Sequence, residues 1–226
     1  MNLKPEILKA IKRSGFEEAT PIQEKTIPLV LEGKDVIGQA QTGTGKTAAF
    51  GLPILQNLDK QHDSIQAIII EPTRELAIQT QEELFRLGRD EKARVQVVYG
   101  GADIRRQIRA LKQTPAILVG TPGRLLDHLK RGTIDISKVK TIVLDEADEM
   151  LDMGFIQDIE SILKYALSKH QTLLFSATMP KPILRIGEKF MNDPEIVKIK
   201  GKELTANLID QYFVRAKENE KFDILC

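Results

Sequence analysis

The chain contains few of the residues that form disulfides, bind structural metals or stack on nucleic-acid bases. Its one cysteine, Cys226, excludes a disulfide within the chain and argues against a structural zinc site. The three histidines, His62, His128 and His170, lack the i, i+4 spacing of a metal-binding helix, so we expect none to be a metal ligand. Tryptophan is absent and aromatic residues make up 5%, which argues against a base-stacking platform.

The chain also lacks a charge excess and a long apolar run. Its 33 basic and 32 acidic residues give a net charge of +1, so any binding of nucleic acid must use local basic patches. No apolar run approaches the roughly 18 residues of a membrane helix. The start, "MNLKPEILKAIKRSG", predicts an amphipathic helix and not a signal peptide. We therefore expect a soluble cytoplasmic protein without membrane contact.

Short β-rich segments alternate with helical periods along the 226 residues. Several of the β-rich segments are continuously apolar, which is typical of parallel strands covered by helices on both faces. Helical periodicity is clear over 73–87 and 156–167. The alternation predicts a doubly wound α/β fold with a mostly parallel sheet of about seven strands. The predicted strands are 35–40, 66–72, 95–100, 116–121, 141–146, 172–178 and 195–199.

Polar clusters follow five of these predicted strands. They read "QTGTGKT", "EPTR", "GTPGR", "LDEAD" and "SAT". In open α/β sheets ligands bind at the carboxyl ends of the strands. We therefore expect the five clusters to meet at one edge of the sheet.

The segment "AQTGTGKT" (40–47) resembles a phosphate loop but departs from the pattern G-x-x-x-x-G-K-[ST], because Ala40 replaces the first glycine. Gly43 and Gly45 would allow the backbone to curl around phosphates, while Lys46 supplies a charge and Thr47 a hydroxyl for Mg²⁺. Alanine fits at position 40 if its φ is negative. A strand-to-helix turn that merely contains a lysine is the alternative.

The segment "TIVLDEADEM" supplies the acidic residues that a Mg²⁺–ATP site needs at a neighbouring strand end. Asp145 and Glu146 follow the predicted strand directly, and a turn there would bring both side chains to one crevice. A solvated acidic helix start is the alternative for these letters alone. A phosphate loop about 100 residues earlier favours the metal–nucleotide interpretation.

The order of these segments resembles the N-terminal RecA-like domain of the DEAD-box ATP-dependent RNA helicases. The resemblance covers about 200 residues and includes "GFEEATPIQ" (15–23), "PTRELA" (72–77), "GG" (100–101), "TPGR" (121–124), "DEAD" (145–148) and "SAT" (176–178). Members of that family carry alanine at the first position of the phosphate loop. The resemblance implies a RecA-like P-loop fold with helices on both faces of the sheet.

The resemblance assigns the nucleotide and Mg²⁺ contacts. Gln23 would read adenine and Phe16 would lie against the base. Thr47 and Asp145 would hold Mg²⁺, partly through water, and Glu146 would orient or deprotonate the attacking water. Lys46, Asp145 and Glu146 would be the catalytic residues, and the nucleotide would contact Phe16, Gln23, Thr42, Gly43, Thr44, Gly45, Lys46 and Thr47.

The resemblance also assigns residues to RNA and to coupling. Asp148, Ser176 and Thr178 would couple the nucleotide state to RNA binding, although such a polar network can simply fix strand ends. Contacts to the sugar–phosphate backbone would position single-stranded or duplex RNA without sequence specificity. The basic helix at 104–113 reads better as a solvated face. The predicted RNA contacts are Pro72, Thr73, Arg74, Gly100, Gly101, Thr121, Pro122, Gly123 and Arg124.

The end of the chain predicts a second unit. Residues 1–204 would form the ATP-binding domain, and 205–226, with the strand-like "LIDQYFV", would be a linker and the incomplete start of a second RecA-like domain. ATP hydrolysis would then need a domain that lies beyond this chain. An RNA clamp that only binds ATP, and a P-loop kinase or transport ATPase, are the competing functions. Glu146 argues against the clamp, and "GFEEATPIQ" and "PTRELA" argue against the other two.

Overall fold

The computed structural model describes residues 3–61 and 63–199, and within them it contains one parallel sheet of seven strands with helices on both faces. The predicted α/β fold and the amphipathic first helix are confirmed. The predicted strand at 208–214 and the division at residue 205 lie outside the described residues. The strands are β1 (Val36–Gln39), β2 (Ala67–Ile70), β3 (Val95–Val98), β4 (Ile117–Gly120), β5 (Thr141–Leu144), β6 (Gln171–Ser176) and β7 (Glu195–Lys198).

Nine helices occur in the described part of the chain, and none of them is long and apolar enough to cross a membrane. The predicted helix 73–87 begins one residue later, because the Thr73 hydroxyl accepts a hydrogen bond from Leu76 N and caps the helix. The helices are α1 (Pro5–Arg13), α2 (Pro21–Leu31), α3 (Lys46–Gln56), α4 (Arg74–Leu87), α5 (Ile104–Leu111), α6 (Pro122–Lys130), α7 (Ala147–Asp152), α8 (Ile156–Leu163) and α9 (Lys181–Phe190).

The predicted helix 156–167 is too long by four residues, since α8 ends at Leu163. The amides of Tyr165 and Ala166 bond to carbonyls three residues back, at Ile162 and Leu163, instead of four. This tighter turn ends the helix. Apolar periodicity alone therefore overestimated the helix at its carboxyl end.

Strands β1 to β7 lie in the order β3-β4-β2-β5-β6-β1-β7. This order divides the predicted ligand loops into two groups, although in the chain the three RNA loops lie between the phosphate loop and "DEAD". The loops predicted to contact RNA follow β3, β4 and β2, whereas the phosphate loop, "DEAD" and "SAT" follow β1, β5 and β6. Strands β2 and β5 pair in register, so the two groups of loops meet between them.

Side chains alternate between the two faces of the sheet, as the period of a strand requires. In β2, Ile69 packs with the core under α1 to α4, while Ile68 and Ile70 pack with the core under α5 to α9. Gly38 of β1 pairs with Phe175 of β6, and a Cβ on Gly38 would lie 2.5 Å from the Phe175 ring. Glycine is therefore required where the phosphate-loop strand meets β6.

Candidate functional site

The phosphate loop connects β1 to α3 with a tight curl. Gly43 and Gly45 have φ values of 81° and 89°, in the left-handed region that favours glycine. Ala40 is buried and is not among the described non-glycine residues with positive φ, so alanine fits there without strain. Helix α3 begins at Lys46, which directs its N-terminal amides toward the loop. The missing first glycine is thus compatible with a phosphate-binding loop.

Lys46 lies at the centre of the site and is 96% buried. Its Nζ is 2.7 Å from Glu146 Oε1 and 3.7 Å from Asp145 Oδ1. The same Nζ donates a 3.3 Å hydrogen bond to the Ala40 carbonyl. The structure therefore brings together the lysine and the two carboxylates that the sequence assigned to catalysis.

Glu146 has an unusual backbone conformation that explains how two successive acids reach one cleft. Its φ of 49° places it in the left-handed region, between β5 and α7. The Glu146 amide donates to Asp145 Oδ1 at 2.9 Å, which fixes the turn. The Thr42 hydroxyl donates to Glu146 Oε1 at 2.7 Å, so the phosphate loop and the acidic turn are linked directly.

A third carboxylate, Glu71, lies at the same place and was missed from the sequence. It follows β2 directly, is 1% exposed, and accepts a 2.7 Å hydrogen bond from the Thr80 hydroxyl. Burial raises the pKa of Glu71 well above its usual range, and the charge of Asp145 raises it further. An acid at the end of the apolar run "AIII" was the one sequence feature that could have identified it.

Acidic groups outnumber basic groups in this cleft. Burial raises the pKa of Asp145 to about 6; the Lys46 charge opposes this effect and Glu146 adds to it. Three buried carboxyl groups, at positions 71, 145 and 146, thus line a cleft with the one ammonium of Lys46, which pairs with Asp145 and Glu146. Carboxylate and hydroxyl oxygens are the ligands that Mg²⁺ prefers, and Thr47 lines the same cleft. The donor set and its excess negative charge fit a divalent cation.

The cleft has a volume of about 270 Å³ and lies at the carboxyl edge of the sheet. Phe16 forms part of its wall, beside Thr42, Gly43, Gly45 and Lys46 of the phosphate loop, and the contact of these residues with a nucleotide stays a prediction. A larger cleft of about 500 Å³ lies near the amino ends of β3 and β4, away from the phosphate loop. The larger cleft lies at the edge of the sheet opposite the polar clusters. The smaller cleft is therefore the better candidate for the functional site.

Two of the predicted nucleotide residues lie outside the wall of the cleft. Gln23 is 4% exposed; its Oε1 accepts a hydrogen bond from Thr20 N at 3.0 Å and its Nε2 donates to the Gly45 carbonyl at 3.1 Å. Thr44 donates from its hydroxyl to the Gln41 carbonyl at 2.7 Å. In this state both side chains support the phosphate loop, and adenine reading by Gln23 stays a prediction.

Asp148, Ser176 and Thr178 form one hydrogen-bonded cluster, and their role in coupling the nucleotide state to RNA binding stays a prediction. Asp148 Oδ2 accepts from the backbone amide and the hydroxyl of Thr178, both at 2.9 Å. The Asp148 amide donates to Ser176 Oγ at 3.1 Å. Burial acts to raise the pKa of Asp148, but the hydrogen bonds from Ser176 and Thr178 outweigh it and hold the pKa below its usual range. The cluster joins the start of α7 to the end of β6.

The predicted RNA residues share the other half of the same sheet edge. Arg74, Gly100, Gly101 and Gly123 are exposed, and Thr73, Thr121 and Arg124 are half-buried. Pro72 and Pro122 are buried, so these two residues shape the loops and do not present a free surface. The exposed arginines of the basic helix α5 are consistent with a solvated face; they are Arg105, Arg106 and Arg109.

Comparison with known proteins gives the family. The sequence pattern described as DEAD/DEAH box helicase matches residues 20–186. The chain belongs to the DEAD/DEAH box helicase family. The match includes the phosphate loop, the acidic turn and the "SAT" segment, so it covers the cleft described above except for Phe16.

Individual relatives of this DEAD/DEAH box chain are similar over nearly all of its length. The ATP-dependent RNA helicase CshA of Limosilactobacillus reuteri is 71% identical over 225 residues, which are 100% of this chain and 45% of the relative. The DEAD-box ATP-dependent RNA helicase CshA of Bacillus subtilis is 62% identical over 224 residues, 99% of this chain and 45% of the relative. The chain therefore spans about half the length of these curated relatives.

Two solved structures share the fold of this DEAD/DEAH box chain. A DEAD box protein from Methanococcus jannaschii superposes with a TM-score of 0.85 at 47% identity, covering 100% of this chain and 61% of that one. A hypothetical ATP-dependent RNA helicase from Sulfolobus tokodaii gives a TM-score of 0.80 at 40% identity, covering 88% and 57%. The predicted RecA-like architecture is confirmed.

We expect Glu71→Gln to stabilise the DEAD/DEAH box chain at neutral pH. A raised pKa in the folded state means that stability is lost as the pH rises above about 4.5, the usual pKa of the carboxyl. An amide keeps the contact with Thr80 but carries no charge to bury. The free energies of unfolding of the two proteins, measured without nucleotide or Mg²⁺ from pH 4.5 to pH 8, should therefore move apart as the pH rises, by about 1.4 kcal/mol for each unit by which the pKa of Glu71 is raised. A constant difference across that range would contradict this account of Glu71.

Proposed function

We propose that this chain is the ATP-binding half of an ATP-dependent RNA helicase. The observation that carries the proposal is the buried Lys46 between Asp145 and Glu146, at the edge of a sheet whose other half presents the predicted RNA loops. The activity would be RNA-stimulated hydrolysis of ATP coupled to local unwinding or remodelling of RNA, in the cytoplasm. The names of the relatives support the same reading.

The phosphates would bind where Lys46 and the loop amides converge. Lys46 now contacts Glu146 at 2.7 Å, so binding of a phosphate oxygen would exchange one anionic partner for another. The exchange would release Glu146 from its ion pair. Glu146 could then accept a proton from the attacking water and orient that water. Thr42, which bonds to Glu146, would keep the carboxylate close to the loop.

Thr47 and Asp145 are the residues that would hold Mg²⁺. When bound, the ion would neutralise phosphate charge and part of the carboxylate excess in the cleft. Asp145 is held by the Glu146 amide, so its carboxylate has a fixed orientation. Glu71 lines the same cleft, where burial favours its uncharged form.

RNA would bind through its sugar–phosphate backbone, without sequence specificity. The exposed glycines at 100, 101 and 123 offer backbone amides, and Arg74 offers a cation. Such contacts position a strand but do not read its bases. A second RecA-like domain would complete both the RNA surface and the ATP cleft. An arginine from that domain would account for about 10³–10⁵ of the rate, as arginine fingers do in GTPases.

The experiment that tests the proposal measures ATP hydrolysis with and without single-stranded RNA. The protein used is the reading frame that continues from this chain into a second domain. RNA should raise the turnover of ATP in that protein. The 226-residue chain alone should bind adenine nucleotide, hydrolyse ATP very slowly and leave duplexes intact. Efficient unwinding by the isolated chain would refute the half-enzyme proposal.

We expect Gln23→Ala to reduce the preference for ATP over GTP. A side-chain amide can bond to two atoms of the adenine edge, and the loss of such a pair costs about 1–3 kcal/mol of discrimination. Reading adenine would require Gln23 to give up its bonds to Thr20 and Gly45. Titration of both nucleotides tests this expectation. Equal losses for ATP and GTP would instead assign Gln23 to support of the phosphate loop.

A further inference from the structure

A buried glutamine, Gln107 of α5, connects two of the predicted RNA loops. Its Nε2 donates to the Tyr99 carbonyl at 3.1 Å, immediately before the glycine pair at 100–101. Its Oε1 accepts from Arg124 Nη1 at 3.0 Å, in the "TPGR" loop. The neighbours thus fix the orientation of the amide. If its oxygen and nitrogen exchanged places, the hydrogen bonds to Tyr99 and Arg124 would both be lost.

Arg124 makes its hydrogen bonds within the protein through one nitrogen of the guanidinium, Nη1. Nη1 donates to Gln107 Oε1 and, at 3.1 Å, to the Ala102 carbonyl, which follows the glycine pair. A guanidinium nitrogen of this kind carries two hydrogens, so Nη1 is fully used. Among the described residues no hydrogen bond occupies Nε or Nη2. Those two donors form the edge that suits a phosphate.

Tyr99 extends the connection to the third RNA loop. The guanidinium carbon of Arg74, in "PTRELA", lies 4.7 Å from the centre of the Tyr99 ring. This is a cation–π distance. Tyr99 thus contacts Arg74 through its ring and Gln107 through its carbonyl. The loops that follow β2, β3 and β4 are therefore joined by Tyr99 and Gln107.

His128 of α6 contacts the side-chain oxygen of Gln107. It is fully buried, and its Nε2 lies 3.1 Å from Gln107 Oε1. Because that oxygen is an acceptor, Nε2 must carry the proton. In the neutral ring Nδ1 then accepts from the Thr133 hydroxyl at 2.8 Å, which lies closer to Nδ1 than to the His128 carbonyl at 3.0 Å. Burial lowers the pKa of His128, and the Arg124 charge lowers it further, which favours this neutral form. His128 thereby fixes the side chain of Gln107.

We propose that Gln107 is a positioning residue for RNA binding, which orients the Arg124 guanidinium so that its free edge faces the RNA backbone. The proposal rests on the proposed function, because it assumes that the loops bind RNA. Gln107 itself does not contact RNA, since it is buried beneath the loops. Its effect on affinity passes through Arg124 and the glycine pair.

The test is a double-mutant cycle on the 226-residue chain with Gln107→Met, Arg124→Met and the combination. A single-stranded oligouridylate is titrated, and NMR follows the amides of Gly100, Gly101 and Gly123, which suits weak binding. We expect Gln107→Met to weaken RNA binding about tenfold, the value of one hydrogen bond to a charged group. The combined variant should lose less affinity than the sum of the two single losses, because part of the effect of Gln107 passes through Arg124. Binding of ATP should be unchanged.

Gln113→Met is the matched control, because it makes the same change at an exposed position just after α5. It should bind RNA like the parent. If Gln107→Met unfolds, Gln107→Glu takes its place. Glutamate keeps the acceptor for Arg124 but loses the donor to Tyr99, so its RNA affinity should fall below that of the parent by less than tenfold.

The outcomes separate the two proposals. Parental RNA affinity in Gln107→Met, or losses that add in the combined variant, would overturn the role of Gln107 alone. In the replacement variant, parental affinity or a loss beyond tenfold would do the same. Absence of RNA-induced shifts in the parent chain would overturn the proposed function, and the role of Gln107 with it.

Discussion

Glu146→Gln is expected to bind ATP at least as tightly as the parent and to lose hydrolysis. The amide cannot take a proton from water, and general-base catalysis contributes about 10²–10⁴-fold to a rate. Glutamine also removes the anion that holds Lys46 Nζ at 2.7 Å, so Lys46 becomes free for phosphate. The rate is measured with RNA present in the protein that includes the second domain, and the affinity by titration.

Glu149→Gln is the control for this prediction. Glu149 lies on the same short helix, α7, is exposed, and is outside the cleft. It should hydrolyse and bind ATP like the parent. If Glu146→Gln hydrolyses ATP at the parental rate, Glu146 is not the general base. If Glu146→Gln hydrolyses ATP slowly but binds it more weakly than the parent, Glu146 does not compete with phosphate for Lys46.

Lys46→Ala is expected to abolish nucleotide binding and to destabilise the fold. Loss of the phosphate contacts should weaken ATP binding about hundredfold or more. The substitution also leaves buried carboxylates without their cation, and breaking a buried pair costs about 3–5 kcal/mol. The destabilisation should be smaller at pH 5 than at pH 8, because the raised pKa values of Asp145 and Glu71 allow protonation. Denaturant unfolding without nucleotide or Mg²⁺ measures this difference.

Lys189→Ala is the matched control, since Lys189 is 53% exposed in its 2.8 Å pair with Glu160. Surface pairs contribute little to stability, so this variant should unfold like the parent. A Lys46→Ala chain that unfolds equally at both pH values would contradict the electrostatic account of the cleft. Retained ATP binding would remove Lys46 from the phosphate site.

The sheet and the nucleotide cleft could be predicted because their determinants are local in sequence. Apolar runs such as "AIII" mark buried strands, and a parallel sheet brings all carboxyl ends to one edge. Asp145 and Glu146 were therefore expected near Lys46, and they lie there. The strand order, however, depends on pairings between distant segments, which periodicity does not encode.

The residues that were missed owe their importance to contacts between distant elements. Gln107 looks like one more polar residue on a basic helix, and only its bonds to Tyr99 and Arg124 distinguish it. The sequence does not distinguish Glu71, because this residue stands between the apolar run "AIII" and the "PTRELA" segment and belongs to neither. The side-chain direction of Gln23 was equally inaccessible, since two backbone groups decide it.

The position of β1 between β6 and β7 has a consequence for folding during synthesis. In the sheet, Gly38 pairs with Phe175 and with Val197, both more than a hundred positions later in the chain. The ribosome adds about 5–20 residues per second, so the strand that begins the phosphate loop waits on the order of 10 s for its neighbours. Such non-local pairing is slow to form. The nascent chain therefore completes its proposed ATP site late, after β2, β4 and β5 can already have paired, and among the seven described strands β1 waits longest for a partner.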